Sequence, residues 1–223
     1  DVSAKVRSLP QDDALLIVDT YFPGWRKRFL GIDEPSPWLT PKQFFLPLEN
    51  KLKLFTHGWG FVGRKLELEK IKAFEAQDDF QAIILSGRGG IGKSRLLKAW
   101  ADGLATSVGI RFLSSSPSIE MKDVELLPNG PSYLVIDDAH ERGDLEVILN
   151  GVARVKPELK VILSSRPYGI TKLQDELNRS GMSYDSDKII TLPDLEVNDA
   201  EALSKEILLD PGVNGDVGLA RKI

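Results

Sequence analysis

A glycine-rich segment that ends in Lys-Ser is the part of this sequence best suited to chemistry. Residues 87–94, here called the phosphate loop, read Gly-Arg-Gly-Gly-Ile-Gly-Lys-Ser and follow a short apolar run. This spacing matches loops in which glycines let backbone N–H groups approach a polyphosphate closely. In that pattern Lys93 reaches the β- and γ-phosphates, and the Ser94 hydroxyl is placed to bind Mg²⁺. The residues of this region predicted to bind the nucleotide are Gly87, Gly89, Gly90, Ile91, Gly92, Lys93, Ser94 and Arg95.

Two carboxylates, Asp137 and Asp138, directly follow the apolar run 132–136. Mg²⁺ bound to a polyphosphate needs a carboxylate near its coordination shell, so Asp137 is the predicted metal ligand beside Ser94, acting through a water molecule. Asp138 is then placed to polarise or orient the attacking water. Taken alone, such an acidic pair is as often a helix cap or a solvated loop. The phosphate loop upstream favours the catalytic interpretation.

Arg166 and His140 add two polar groups close to the ends of predicted strands. Arg166 follows the apolar run 160–165 and is placed to contact the γ-phosphate. The competing interpretation is an ion pair with the acidic strand end, and the two contacts can belong to different nucleotide states. His140 could tune the site or respond to the γ-phosphate, but a structural role in its loop is the favoured interpretation. The predicted catalytic residues are Lys93, Asp137, Asp138 and Arg166, and the predicted metal ligands are Ser94 and Asp137.

Apolar runs separated by helical patterns indicate the elements that position these groups. The predicted strands cover residues 82–86, 110–114, 132–136, 160–165 and 188–192, and the clearest helical patterns cover 64–75, 95–100, 145–155 and 173–178. Continuous apolar strands joined by crossovers predict a parallel sheet with helices on both faces, whose ligands bind beyond the carboxyl ends of the strands. The predicted fold class is therefore α/β, a three-layer P-loop NTPase core with a mainly parallel sheet of about five strands. The crossover 115–130 contains prolines and is expected to be short and irregular.

Three segments with different patterns predict the domain organisation. Residues 1–57 combine aromatic residues with frequent prolines, and are expected to form an irregular, mostly helical linker or effector-proximal segment with a short helix over 48–55. Residues 58–193 are the predicted P-loop NTPase core. Residues 194–223 are expected to be the truncated start of a small helical lid, with a helix over 199–208.

The stretch 25–29, Trp-Arg-Lys-Arg-Phe, has two competing interpretations. Basic residues interleaved with aromatic residues could bind nucleic acid. The alternative is an amphipathic segment that packs its rings against the next domain and solvates its charges. The second interpretation is favoured because the patch is short and acidic residues flank it.

Composition excludes several classes of function. The 223 residues carry a formal net charge of −4, which provides no overall field to recruit nucleic acid or an anionic membrane. The absence of cysteine rules out disulfides and thiolate metal sites, so phosphate, magnesium and carboxylates must supply the chemistry. No apolar run approaches the roughly 18 residues that cross a bilayer, so no membrane partner and a cytoplasmic location are expected. The chain starts at Asp1 and stops at Ile223 within a helical pattern, which suggests a segment of a longer protein.

Five motifs, in this order, resemble the STAND class of P-loop ATPases, the signal-transducing relatives of AAA+ proteins that include the NB-ARC and NACHT proteins. They are Phe61-Val62-Gly63-Arg64 with Glu67, the phosphate loop, Leu134-Val135-Ile136-Asp137-Asp138-Ala139-His140, Ser164-Ser165-Arg166, and Leu192-Pro193-Asp194-Leu195 leading into Ala200-Glu201-Ala202-Leu203. The resemblance covers about residues 61–223. It implies that the backbone of Val62, Gly63 and Arg64 lies against adenine and ribose. The predicted lid stops before the Gly-x-Pro turn of the family, so the nucleotide contact made by that turn has no counterpart here.

The resemblance implies a regulatory switch that binds ATP or ADP with Mg²⁺ and hydrolyses ATP slowly. ADP would hold the core and lid closed, whereas a sensed ligand, either protein or nucleic acid, would permit ATP binding, homo-oligomerisation and activation of an effector. Prokaryotic proteins of this class are often antiviral defence sensors or transcriptional regulators. Two alternatives are a turnover ATPase of the AAA+ origin-binding or loader type acting on DNA, and a nucleotide-binding scaffold that does not hydrolyse. ATP is favoured over GTP because the sequence lacks the specificity motif of a GTPase.

Overall fold

The computed structural model describes residues 36–48, 61–104, 108–115, 118–127 and 130–209. All of them except Ser36 belong to a unit that begins at Pro37. The described strands are β1 (Trp38–Leu39), β2 (Ala82–Ser86), β3 (Gly109–Leu113), β4 (Pro131–Ile136), β5 (Lys160–Ser165) and β6 (Ile190–Thr191). The described α-helices are α1 (Pro41–Phe45), α2 (Lys65–Glu75), α3 (Lys93–Asp102), α4 (Met121–Glu125), α5 (Leu145–Val155), α6 (Ile170–Ser180) and α7 (Val197–Leu209).

The described strands form a single sheet in the order β1-β3-β4-β5-β2-β6. Strand β2 pairs in parallel with β5 and β6, β4 pairs in parallel with β3 and β5, and β1 alone among them is antiparallel to its neighbour β3. Parallel neighbours need long crossover connections, and the helices supply them. The predicted α/β class, a three-layer core with a mainly parallel sheet, is confirmed. The described sheet has six strands where the sequence predicted about five.

Helices cover both faces of the sheet because successive residues of a strand point to opposite sides. Leu134 and Ile136 of β4 belong to the hydrophobic cluster that contains α4, α5 and α6. Val135, between them, belongs to the cluster that contains α1, α2 and α3. Strand β5 alternates in the same way, with Val161 and Leu163 on one face and Ile162 on the other. Two packed layers therefore fix the strand ends from which the polar segments emerge.

Strand β1 and helix α1 pack on the sheet although they lie within the segment that the sequence placed before the core. Trp38 is 3% exposed, and its indole Nε1 donates a hydrogen bond of 2.8 Å to the Asp123 carbonyl. The ring of Phe45 contacts Phe112 of β3 edge to face, with 5.0 Å between the centroids. Large aromatic side chains gain stability by leaving water, which explains why this segment covers the edge of the sheet. The domain limits at 57/58 and 193/194 stay predictions.

The crossover 115–130 contains the short helix α4, so the prediction of an irregular crossover was wrong for this part. The carboxylate of Asp144 accepts a hydrogen bond of 2.5 Å from the Ile119 N–H and pairs with Arg142 at 2.6 Å. Arg142 also donates to the Ser114 carbonyl at 2.9 Å. These long-range contacts order the crossover, and the local sequence pattern gives no sign of them.

Other element bounds differ from prediction mainly at their ends. Helix α5 spans residues 145–155 as predicted, whereas α6 spans Ile170–Ser180 where 173–178 was expected. Strand β6 has only two residues, Ile190–Thr191, within the predicted run 188–192. The stretch 25–29, the predicted helix over 48–55 beyond Leu48, and the end of the predicted lid lie outside the described residues. Among the helices that are described, none has the length and apolar composition to cross a membrane.

Candidate functional site

The segments that carry the predicted catalytic residues meet at one edge of the sheet. Strands β4, β5 and β2 are neighbours, and the register pairs Ser86 with Ser165 and Ile136 with Leu163. The phosphate loop follows β2, the acidic pair follows β4 and Arg166 follows β5. Parallel strands place all of these connections at their common carboxyl edge, where α/β sheets bind ligands.

Backbone geometry explains the glycines of the phosphate loop. Gly90 and Gly92 have φ angles of +75° and +101°, a region that residues with a Cβ atom seldom adopt. A Cβ on Gly87 would lie 2.7 Å from the Cγ2 atom of Ile91, so this position lacks space for a side chain. The Gly87 N–H donates a hydrogen bond of 3.1 Å to the Ser165 carbonyl, which ties the loop to β5.

Lys93, at the start of α3, turns its side chain back into the phosphate loop. This side chain is 7% exposed, and its Nζ donates to the carbonyls of Gly87 and Arg88 at 3.1 and 3.3 Å. Nζ also lies 3.8 Å from Oδ1 of Asp138. A buried ammonium group requires such partners, and it forms stronger, charge-assisted hydrogen bonds with an anion such as phosphate. This position suits the predicted role of Lys93 in neutralising phosphate charge.

The side chains of Ser94 and Asp137 form a pair of oxygen groups beside the loop. The Ser94 hydroxyl donates a hydrogen bond of 2.6 Å to Oδ2 of Asp137. Mg²⁺ prefers oxygen ligands, and usually takes one or two from the protein while substrate phosphates and water supply the rest. One hydroxyl and one carboxylate at this separation are groups that suit such an ion.

Ser164, near the end of β5, is a residue of the site to which the sequence analysis assigned no role. Its Oγ donates to Oδ1 of Asp137 and accepts a hydrogen bond of 2.8 Å from the Asp138 N–H. Ser164 is completely buried, so its hydroxyl is available only to these partners. It therefore holds the carboxylate of Asp137 and the backbone of Asp138. The signal in the sequence was weak: a serine among the apolar residues of a buried strand.

Asp138 has a strained backbone and an unused acceptor. Its φ and ψ angles are +47° and 42°, in the left-handed region that costs a non-glycine residue about 1–2 kcal/mol. Its Oδ1 atom is buried and accepts no hydrogen bond from the described part of the chain. An aspartate held in this way, with Lys93 nearby, can accept a hydrogen bond from a water molecule. Strain at a polar site of this kind is a feature of functional positions.

The guanidinium group of Arg166 lies between the phosphate loop and an acidic turn. Its Cζ and Nη2 atoms are 3.7 and 3.8 Å from the position that a Cβ on Gly89 would occupy. Its Nη2 is also 3.9 Å from Oε1 of Glu141, and both side chains are about half exposed. The acidic partner is therefore Glu141, three residues beyond Asp138. The sequence analysis considered Arg166 for both the γ-phosphate and an ion pair, and this position is compatible with each.

The segment Val62-Gly63-Arg64 adjoins the phosphate loop from the other side. The Arg64 side chain is nearly buried, and its Nη2 donates to the Ile91 carbonyl at 3.1 Å. The guanidinium therefore supports the loop, while the Arg64 carbonyl accepts a hydrogen bond of 3.0 Å from the Leu68 N–H. The adenine contacts of the segment stay a prediction. A Cβ on Gly63 would lie 2.6 Å from Oδ2 of Asp199, so the start of α7 packs closely here. Arg95 lies in the first turn of α3, next to Ser94.

His140 is buried beside the acidic pair and is 7% exposed. Burial lowers the pKa of its imidazole below the ordinary value, because a charged ring would lose its hydration. The carboxylates of Asp138 and Glu141 act on this pKa in the opposite direction, and the cations of Arg166 and Lys93 add to the lowering. The folded protein therefore favours a neutral His140.

We expect His140→Gln to reduce the loss of stability that the protein shows in acid. The pKa of His140 lies below its reference value of 6.5 in the folded state, so the unfolded state binds more protons as the pH falls below that value. Stability from this residue is thus complete above the reference pKa and declines below it. Urea unfolding at about pH 7.5 and about pH 5.5 measures the decline in both proteins. Equal declines in the wild type and the variant would contradict the expectation.

Comparisons with known proteins give structural likenesses only. No protein-family model matches the chain, and no curated protein sequence matches it. The S. cerevisiae Hsp104–ADP complex is similar with a TM-score of 0.48 and 16% identity over 66% of this chain, which spans 24% of the Hsp104 chain. Domain III of the Thermotoga maritima replication initiation protein DnaA is similar with a TM-score of 0.47 and 14% identity, covering 73% of this chain and 75% of that one. A Walker-type ATPase of Pyrococcus abyssi has a TM-score of 0.45 and 15% identity, covering 70% of this chain and 60% of the other.

Proposed function

We propose that this chain is a nucleotide-dependent molecular switch that binds ATP or ADP with Mg²⁺ and hydrolyses ATP slowly. The observation that carries the proposal is the network at the carboxyl ends of three neighbouring strands. Within it, Lys93 Nζ is 3.8 Å from Asp138 Oδ1, and Ser94 Oγ is 2.6 Å from Asp137 Oδ2. A cation inside a glycine loop, a hydroxyl–carboxylate pair and a second carboxylate are the groups that phosphoryl transfer to water requires.

In the proposed mechanism the residues of the network have separate tasks. Lys93 exchanges its hydrogen bonds with loop carbonyls for bonds to phosphate oxygens. Ser94 would hold Mg²⁺ directly and Asp137 through a water molecule, and the ion would supply charge neutralisation for the phosphates. Asp138 accepts a hydrogen bond from the attacking water and orients it, while Arg166 leaves Glu141 and contacts the γ-phosphate. The catalytic assignments Lys93, Asp137, Asp138 and Arg166 are thus retained as proposals.

Two contacts link the phosphate loop and the end of β2 to the segment that leads into α7, and they support a switching role. The Arg88 side chain in the phosphate loop forms an ion pair with Asp194, and both side chains are 71% exposed. The Leu192 N–H donates to the Ser86 carbonyl at 2.8 Å, directly before that loop. Exposed ion pairs contribute about 0–1 kcal/mol, so a bound polyphosphate can compete for Arg88. Nucleotide state would thereby reach the predicted lid.

We further propose that this coupling belongs to a STAND-type protein that homo-oligomerises and activates an effector when it senses a ligand. The five motifs in order, from Phe61 to Leu203, support that subclass. Antiviral defence or signalling in a prokaryote is the setting that the resemblance suggests, with a protein or a nucleic acid as the sensed ligand. A switch needs only a few kcal/mol of difference between the affinities of its two states for the nucleotide.

Purified protein should retain ADP, because a switch held in its resting state releases product slowly. Mass spectrometry of the nucleotide released on denaturation identifies it, and a single-turnover assay with ATP and Mg²⁺ measures the hydrolysis rate with and without DNA. We expect slow hydrolysis that DNA does not stimulate. Rapid, DNA-stimulated turnover would instead support a loader-type ATPase, and bound ATP that is never cleaved would support a scaffold. A protein that binds neither nucleotide would refute the proposal.

A further inference from the structure

Two short 3₁₀ turns meet beside the proposed catalytic site. One, Ala139–Glu141, follows Asp138, and the other, Pro167–Gly169, follows Arg166. Each turn therefore directly follows a proposed catalytic residue: Asp138 is proposed to act on the attacking water, and Arg166 on the γ-phosphate. The relative position of the two turns sets the distance between those two groups.

A histidine–tyrosine contact joins the turns. A hydrogen bond of 3.1 Å links His140 Nε2 and the Tyr168 hydroxyl, and the rings are nearly perpendicular with centroids 5.1 Å apart. Behind this bond, a Cβ on Gly169 would lie only 2.3 Å from the Cβ of His140. The backbone of the second turn thus lies directly against the histidine, and only glycine at position 169 permits that approach.

Three further contacts lie at the junction. Lys172, in the first turn of α6, donates from its Nζ to the carbonyls of His140 and Arg142 at 2.8 and 2.7 Å. Arg166 and Glu141, one from each turn, lie 3.9 Å apart. The first two contacts hold the backbone, whereas the Arg166–Glu141 pair is loose and half exposed. The side chain of Arg166 is therefore the movable part of a fixed junction.

The two residues of this pair differ greatly in their exposure to solvent. His140 is 7% exposed, but Tyr168 is 71% exposed, although its ring and hydroxyl both contact the histidine. The His140 Nδ1 atom is buried without a hydrogen-bond partner in the described part of the chain. An unpartnered buried polar atom costs free energy. The hydrogen bond between the other ring nitrogen, Nε2, and the Tyr168 hydroxyl fixes the orientation of the ring.

We infer that His140 and Tyr168 are positioning residues that hold the Arg166 segment against the Asp138 turn, so that Arg166 can exchange Glu141 for the γ-phosphate. This inference rests on the proposed function. The hydrogen bond keeps both turns in place while the guanidinium moves between Glu141 and the space above Gly89. ADP lacks the γ-phosphate, so the pair affects the binding of ATP and not of ADP.

Tyr168→Phe tests the inference because it removes only the hydroxyl of a largely exposed side chain, a change that we expect the fold to tolerate. We expect the variant to bind a non-hydrolysable ATP analogue with Mg²⁺ about three- to tenfold more weakly, the range for one lost hydrogen bond, with ADP affinity unchanged. His140→Ala should act in the same way, whereas His140→Gln can still reach the hydroxyl and should restore affinity. Tyr184→Phe is the matched control, since the Tyr184 hydroxyl makes no hydrogen bond with any described residue. Isothermal titration calorimetry measures all four variants.

The two histidines of the chain allow the hydrogen bond itself to be observed. In ¹⁵N-histidine spectra, His57→Gln assigns the second ring, and Tyr168→Phe should move the His140 nitrogen resonances while Tyr184→Phe does not. Two results would overturn this inference and leave the proposed function standing. One is that the His140 resonances do not move in Tyr168→Phe. The other is that the wild type binds both nucleotides and Tyr168→Phe binds them with the same affinities. A wild type that binds neither nucleotide would remove the proposed function and the inference with it.

Discussion

Lys93→Ala lowers the affinity for ATP and for ADP by at least about 100-fold, because it removes two or more charge-assisted hydrogen bonds to phosphate worth about 1.5–3 kcal/mol each. The expectation follows from the position of Nζ, which is buried within the phosphate loop at 3.1 Å from the Gly87 carbonyl. Nζ also donates to the Arg88 carbonyl at 3.3 Å, whereas Arg64 bonds a different carbonyl of the loop, that of Ile91. Calorimetric titration with each nucleotide measures the change.

Lys72→Ala is the matched control for this variant. Lys72 is an exposed residue of α2 and its removal changes the net charge by the same amount. Circular dichroism would show that both variants keep the wild-type helix content. If Lys93→Ala bound ATP as tightly as the Lys72→Ala control does, the nucleotide site would have to lie elsewhere.

Asp138→Asn stops hydrolysis while ATP stays bound. A side chain that accepts the proton of the attacking water contributes about 10²–10⁴-fold to the rate, and an amide cannot accept it. Asparagine tolerates the left-handed backbone that Asp138 adopts at φ +47°, so the turn should keep its shape. Loss of the negative charge beside Lys93 removes a competitor for its ammonium, which favours phosphate binding.

Single-turnover hydrolysis and calorimetric titration separate the two effects in the Asp138→Asn variant. Asp175→Asn, on the exposed side of α6, removes the same charge away from the site and serves as the control. A fall in ATP affinity that matches the fall in rate would mean that Asp138 binds substrate and does not direct water. An unchanged rate would assign that task to another group.

The contrast between Asp137 and Asp138 depends on their hydrogen bonds. Asp137 accepts hydrogen bonds from the Ser94 and Ser164 hydroxyls and from the Asp138 N–H, so both of its oxygens are held in place. Asp138 has an oxygen with no such donor. Adjacent carboxylates in the sequence thus acquire different environments, which explains how one can hold an ion while the other remains free for water.

Sequence reasoning was most successful where the structure depends on neighbouring residues. The predicted helix over 145–155 and the strand–loop–helix unit around the phosphate loop agree with the structure because apolar periodicity and glycine conformations are local properties. The predicted catalytic positions fall at the same edge of the sheet for a related reason. Parallel strands share a direction, so residues at their carboxyl ends must emerge together.

It was less successful where partners come from distant parts of the chain. Trp38 joins the sheet by pairing with Leu113 of β3, and its indole bonds to the crossover, although its segment looks irregular when it is considered alone. The residues that lead into the short helix α4 are held by Asp144, which follows β4 in the chain and accepts a hydrogen bond from the Ile119 N–H. Strand β6 is shorter than the apolar run that predicted it. It is the last strand in the sheet order and pairs with one neighbour, and such strands are often short.

By itself, the sequence determined that a phosphate loop joins a buried strand to a helix, that two carboxylates and an arginine follow other buried strands, and that the core is an α/β sheet. Only the tertiary structure decided that Ser164 holds the Asp137 carboxylate and the Asp138 backbone, that Glu141 pairs with Arg166, and that His140 contacts Tyr168. The physical reason is that glycine conformation and apolar periodicity act within a few residues, whereas a hydroxyl or an imidazole takes its partner from whichever strand end folding brings beside it.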